Sequence, residues 1–296
     1  MEVHQPSTVS ARSAGRKGRG QTRSLRGLRQ RVKSLWGDGA LSNSAGQPYT
    51  WGESSTADNS DLKSVKSGGS IVRILAIETT EAIGSLAAFD ADALVCQRGL
   101  DPQLRSARSL APGIQQLLAD AGWRPSDVQL VAVTVGPGSF TGLRVGVTTA
   151  KTFAYAVGAE VLGIDTFLAI AERTPAEVAE LAAALDAQRQ QVFAARLVRN
   201  AAGHFHRPSD VRIVDNDAWL AELTPEVMVT GPALLKLAAR VPSRVNVLEP
   251  SLWTPTAAAV GRVAWRNYQA GQRDDLLQLV PAYYRRSAAE EKRAAE

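Results

Sequence analysis

Gly136-Pro-Gly-Ser-Phe-Thr-Gly-Leu-Arg-Val-Gly146 is the stretch on which the reading of this chain turns. It follows an apolar run, Leu130 to Val135, that has the composition of a buried strand, and it leads into Val147–Val157, which is patterned as a helix. The expected succession is a strand at 129–135, a glycine-rich turn and a helix at 141–157. In many folds such a turn brings backbone N–H groups up to an anion. Spacing excludes two common phosphate motifs. The P-loop requires Gly-Lys-Ser/Thr after four intervening residues, whereas Gly142 is followed by Leu143 and Arg144. The dinucleotide pattern G-x-G-x-x-G fails because the third glycine arrives one residue late. Gly136 and Gly138 admit backbone conformations closed to other residues. Pro137 stiffens the turn, and Ser139 or Thr141, on either side of Phe140, can cap the helix that runs past Gly142. That helix carries Gly146, Ala150 and Ala154 at four-residue spacing. Such a stripe either packs on the parent sheet or is offered to a partner, with Arg144 and Lys151 beside it.

Working outward, Ile71–Ile77 is an apolar run rich in β-branched residues and predicts a buried strand. Gly84–Phe89 and Ala93–Arg98 follow at hairpin spacing, with Asp90-Ala-Asp92 as the turn. Ser106–Ala121 predicts a helix with Leu110, Ile114, Leu117 and Leu118 on one side; Pro112 must kink it or sit in its first turn, and Gly122 suits its C-terminal cap. A strand is expected at 161–165. A second unit begins near residue 170, with a helix over about Ala176–Ala184, a hairpin at Leu185–Arg199 and a strand at 210–214. A helix near Asp217–Glu222, a short strand Val227–Val229 before Gly231-Pro232, and an amphipathic helix at Thr256–Ala270 closed by Gly271 complete it. No repeat at a fixed period is visible. The order predicts an α/β protein with a mixed sheet and helices against it.

Beyond the loop, four further segments recur in one known family. Val72-Arg-Ile-Leu-Ala-Ile-Glu-Thr-Thr80, Gly163-Ile-Asp-Thr-Phe-Leu168, Leu185-Asp-Ala-Gln-Arg-Gln-Gln-Val-Phe193 and Pro281-Ala-Tyr-Tyr-Arg-Arg286 stand in the family's order. Over roughly residues 72 to 290 the chain resembles the TsaB (YeaZ) family of the bacterial tRNA threonylcarbamoyladenosine pathway. The resemblance implies the fold of actin, sugar kinases and chaperone ATPases, built from two related halves, here 72–169 and 170–296. It implies a non-catalytic subunit that binds and activates a TsaD-type transferase, with a TsaE-type ATPase and tRNA as further members of the complex. The product would be threonylcarbamoyl-adenosine beside the anticodon of ANN-decoding tRNAs. ATP is used by the complex, with no cofactor held firmly by this chain. TsaB pairs with TsaD through N-terminal-domain helices, so the expected interface is Leu110, Ile114, Leu117, Leu118, Gly146, Ala150, Lys151 and Ala154, a face that can also self-associate in isolation. Glu78 stands where the family usually has aspartate, and 194–255 matches only loosely.

Charge is unevenly placed. Residues 1–71 hold eleven of the 34 Lys/Arg and five of the 29 Asp/Glu, so the remainder is nearly neutral and makes no electrostatic case for nucleic acid. The first 71 residues are Ser-, Gly- and Arg-rich, with nine Lys/Arg and no acid between Arg12 and Lys33. They are expected to be disordered. A mis-assigned start before Val72, an unstructured appendage and a targeting peptide compete as readings. A basic arm holding RNA phosphates is a less favoured function. No run of eighteen apolar residues is present, and one cysteine, Cys96, excludes an internal disulfide and suits a reducing compartment, the cytoplasm.

The chemistry is sparse. In kinase-fold ATPases an acidic residue ends the first strand and organises metal and phosphate; Glu78 stands there, followed by Thr79. A nucleotide site on Glu78 and Thr79, with phosphotransfer or hydrolysis, is the alternative function; the competing reading is a carboxylate that hydrogen-bonds a hairpin turn. One carboxylate is too few for a magnesium site without phosphates and waters. TsaD-type enzymes carry H-x-x-x-H on a helix, which sets two imidazoles on one face for a metal. This chain has only His4, His204 and His206, none within 106–121. Ser139 lies outside any G-x-S-x-G elbow, so proteolysis finds no residues. The expectation is no catalytic residue and no metal site.

Overall fold

The computed structural model describes residues 72–101 and 106–285. The expected N-terminal tail lies outside these residues, as does Arg286. The first sheet contains five strands, β1 (Arg73–Glu78), β2 (Ser85–Asp90), β3 (Ala93–Gly99), β4 (Leu130–Gly136) and β5 (Glu160–Asp165), in the order β3-β2-β1-β4-β5. β1, β2 and β3 form an antiparallel meander, while β4 and β5 run parallel to β1. The antiparallel links are short turns; the parallel ones are crossovers through α1 (Ser106–Asp120) and α2 (Phe140–Val157). α3 (Thr166–Ala171) follows β5 directly, capped by Asp165, whose carboxylate accepts from the N–H groups of Phe167 and Leu168.

The second sheet repeats this plan. β6 (Glu180–Gln188) and β7 (Gln191–Arg199) form a hairpin, and β8 (Phe205–His206) and β9 (Arg212–Asp215) both pair antiparallel with β7. β10 (Met228–Thr230) lies parallel to β6, and β11 (Asn246–Val247) parallel to β10. Two short helices, α4 (Asn216–Glu222) and α5 (Leu234–Leu237), fill the connections. In each half, an antiparallel meander is followed by parallel strands on the far side of its first strand. The repeat is also local: β4 ends in Gly136-Pro137 and β10 leads into Gly231-Pro232, with both glycines at positive φ, 127° and 114°. A side chain at Gly231 would meet the backbone of Ala184. These matching Gly-Pro steps were the available sequence signal of the internal duplication, hidden because the intervening lengths differ.

One expected element is corrected. Residues 176–184 do not form a helix; Glu180–Gln188 is a single nine-residue strand, and Leu181, Ala183, Ala184 and Leu185 are buried. The run Leu-Ala-Ala-Ala-Leu has strong helical propensity, but β6 sits at the centre of the sheet between β7 and β10, and tertiary pairing overrides propensity there. Small alanines leave room for the elements packed on both faces.

Apart from its exposed edge strand β3, the first sheet is buried on both faces, which explains the near-continuous apolar strands. On one face Ile74, Ala76, Ala87, Phe89, Leu130, Ala132, Leu162 and Ile164 pack against α6 (Ala257–Gln269). This helix returns from the end of the chain to the first half. Thr256 caps it, accepting from Ala259 N–H at 3.2 Å, and Gly261 lets it settle on Phe89, whose ring would lie 2.2 Å from a Cβ there. The opposite face is covered by α1 and α2. A separate core joins the second sheet to Phe167, Ile170, Trp219, Leu234, Leu237 and Trp253.

Candidate functional site

The turn between β1 and β2 is locked beneath the signature loop. Thr79 donates its hydroxyl to the Gly142 carbonyl at 2.9 Å, and Ser139 N–H donates to the Thr80 carbonyl at 3.1 Å. Three glycines permit this contact. A Cβ at Gly142 would lie 1.9 Å from the Thr79 carbonyl oxygen, one at Gly146 would lie 2.2 Å from Thr79 Oγ1, and one at Gly138 would lie 2.5 Å from Thr80 Cβ. Ser139 caps α2, its hydroxyl accepting from Gly142 N–H at 3.2 Å. The glycine spacing therefore serves a backbone-on-backbone seat for residues 79–80.

Glu78 is fully buried. Its Oε1 accepts from the N–H and the hydroxyl of Thr80, each at 2.5 Å, and its Oε2 has no partner. Burial pushes its pKa from the ordinary 4.5 up to about 7, against the opposing pull of the Thr80 bonds. Glu78 and Thr79 thus face into the protein, sealed by α2, and do not line the cleft. Through the two Thr80 bonds the Glu78 carboxylate braces the β1–β2 turn.

The cleft lies between the two halves, outside the carboxyl ends of β1, β4, β6 and β10, and has a volume of about 970 Å³. Thr80 and Glu81 line it from the first turn, with Pro137–Thr141 and Arg144 from the signature and Asp186–Arg189 from the β6–β7 hairpin. Lys236 lies on the same side as Asp186 and pairs with it at 2.5 Å. Burial, followed by the charges of Glu78 and Asp186, raises the Glu81 carboxyl to about 7. Among the described residues, no group of three or more His, Cys, Asp or Glu is placed to hold a metal ion. His204 and His206 are both exposed, at and just before β8.

The cleft's remaining wall is Ala282–Arg285, the end of a C-terminal strap that runs over residues 274–285. Asp274 pairs with Val161 at the edge of β5, and its carboxylate accepts from Gly163 N–H at 2.7 Å. Lys151 donates to the carbonyls of Leu277 and Leu279, both at 2.9 Å. Ala282 N–H donates to the Val135 carbonyl at 2.7 Å. Arg144 stacks on Phe140, 3.9 Å from its centroid, and donates to the Tyr283 hydroxyl at 2.9 Å. Tyr284 packs on Phe193, and Arg285 reaches the Ala187 carbonyl at 2.5 Å and the Gln191 side chain. In sequence 136–146 and 281–286 are separate segments, and no local pattern reveals that they touch.

The expected partner face is corrected in detail. Leu110, Ile114, Leu117, Leu118, Gly146, Ala150 and Ala154 are all buried within this chain, Ala150 and Ala154 completely. The stripe packs on the chain's own sheet, because α2 must approach β1 and β4 closely. Arg144 and Lys151 are occupied by the strap. The outward residues of these helices include Gln115, Gln116 and Ala119 on α1, and Thr141 and Thr148 on α2.

A family model described as TsaD, tRNA N6-adenosine threonylcarbamoyltransferase, matches residues 97–210. An uncharacterised protein of Mycobacterium tuberculosis is 30% identical over 227 residues, covering 74% of this chain and 94% of the relative. The Escherichia coli protein named tRNA threonylcarbamoyladenosine biosynthesis protein TsaB is 30% identical over 137 residues, 46% of this chain and 59% of that protein. The structure of YeaZ from Pseudomonas aeruginosa superposes with a TM-score of 0.61 at 24% identity, covering 72% of this chain and all of that one. The chain belongs to the TsaB (YeaZ) family. In TsaB terms, the two-sheet α/β architecture is the YeaZ fold, and the signature loop with its glycine seat falls within the stretch that also matches the TsaD model. No described helix is long and apolar enough to cross a membrane.

Proposed function

We propose that this chain acts in tRNA threonylcarbamoyladenosine biosynthesis as a non-catalytic subunit that binds and activates a TsaD-type transferase. The modified base is the adenosine beside the anticodon of ANN-decoding tRNAs, and the work is cytoplasmic. A TsaE-type ATPase completes the machinery, ATP is consumed by the complex, and this chain holds no cofactor firmly. Kinship to proteins named for this pathway carries the reading, and the site supports it: the carboxylate at the end of β1 is sealed under Gly142 and Gly146 and spent on a turn. Pairing through α1 and α2 then uses the outward residues Gln115, Ala119, Thr141 and Thr148. A stable pair buries about 1,200–2,000 Å². A free chain with that face uncovered self-associates.

The test is reconstitution with a TsaD-type subunit, a TsaE-type subunit, tRNA and threonylcarbamoyl-adenylate, with and without the full-length chain. Modification that requires the chain, while the chain alone modifies nothing, is expected. Equal modification in its absence would overturn the proposal.

A further inference from the structure

We propose that the C-terminal strap is a releasable latch, with Arg285 clasping a strained turn across the mouth of the cleft. Three observations meet here. First, the strap is fastened to the first half mainly through backbone groups: Asp274 to Val161, Lys151 to two carbonyls and Ala282 to Val135. Gly136 and Gly163 make room for it, since a Cβ would lie 2.9 Å from the Ala282 carbonyl at one and 2.9 Å from Leu279 Cδ1 at the other. The strap is therefore seated along β5 and the signature loop whatever the second half does.

Second, its hold on the second half is confined to its last two described residues. Tyr284 lies against Phe193, with ring centroids 6.1 Å apart, and Arg285 bonds Ala187 and Gln191. These are part-buried contacts, and few contacts with partial exposure are the mark of a segment that opens locally. Third, those two anchor points bracket an outlier. Gln188, Arg189 and Gln190 all have positive φ, at 63°, 54° and 60°, and none is glycine. Three consecutive left-handed residues with side chains persist only where surroundings over-determine them. Asp186 steadies one end by accepting from Gln188 N–H at 2.8 Å, and Asn216 N–H donates to the Gln190 carbonyl at 2.9 Å at the other. The Arg285 guanidinium spans the gap between them.

A clasp on one half and a strained turn on the other make a two-state element. While Arg285 is engaged, the cleft has its fourth wall and the hairpin tip is held toward the signature loop. When it lets go, the turn relaxes and Tyr284 and Arg285 withdraw from the cleft mouth, leaving the strap's attachment to β5 and the signature loop intact. Anything that enters the cleft deeply or pulls on the strap biases this equilibrium.

Amide hydrogen exchange on the full chain tests this. Arg285→Ala is expected to speed exchange at Gln188 and Asn216 about tenfold or more, while Ala282, β1, β4 and α6 keep their protection. Adding Gln188→Gly, which removes the left-handed strain, is expected to return the turn amides toward the rates of the unaltered chain. Unchanged exchange at the turn in Arg285→Ala would overturn the latch. So would acceleration spread through β6 and β7, which marks general loosening, and so would failure of Gln188→Gly to restore protection.

Discussion

At the scale of single residues, Glu78 shows how a position can be legible while its use is not. Its place at the end of the first strand follows from the apolar run before it. Its sealing depends on Gly142 and Gly146, more than sixty residues away, and no local pattern carries that distance. The carboxyl is raised in the folded chain, so it is neutral there at a pH where the unfolded chain already ionises it. The stability it contributes is fully present below pH 4.5 and is lost as pH rises through about 7. The shift corresponds to roughly 3 kcal/mol. Glu81, also raised to about 7, acts in the same direction. Urea unfolding at pH 5 and pH 8 should therefore show the natural chain weakening with pH, and Glu78→Gln should remove about half of that slope while keeping the acceptor for Thr80. An unchanged slope would mean that Glu78 is ionised in place.

At the scale of elements, most of the first half could be read in advance, because hairpin spacing, caps and alternating strands are local features. The β2–β3 turn, the Thr256 cap and the Ser139 cap all follow from short-range chemistry. The second half was less legible where sheet position decided the outcome, as in β6, whose alanines favour helix in isolation. The α2 stripe is a third kind of case: four-residue spacing identified a face that accepts close approach without saying what approaches. Since that face meets the sheet, Ala150→Arg buries an unpaired guanidinium and should cost more than 4 kcal/mol, enough to unfold a marginal domain. Thr148→Arg, one turn edge away and exposed, should leave the thermal midpoint within a degree or two and weaken pairing with a TsaD-type subunit. Thermal unfolding followed by co-purification checks both; a folded Ala150→Arg would show that α2 can shift outward.

At the scale of the whole molecule, the chain closes on itself. The two halves repeat a topology, yet the first cannot cover its own sheet: Ile74, Ala76, Ala87 and Phe89 are roofed by α6, which arrives after all the strands of the second half. Residues 72–169 expressed alone should lack a cooperative unfolding transition and bind hydrophobic dye, as a sheet with one bare face does. A sharp transition for that fragment would show that α1 and α2 suffice. The placement of α6 also sets a schedule during synthesis. Translation at the usual rates puts roughly 10–30 s between the emergence of Phe89 and that of Ala257. For that interval the nascent sheet displays its greasiest surface with no roof, while the later half assembles beside it. The chain's demand for chaperones should accordingly peak late in translation, and mutations in α6 should reveal themselves first as lost yield, before any change in activity.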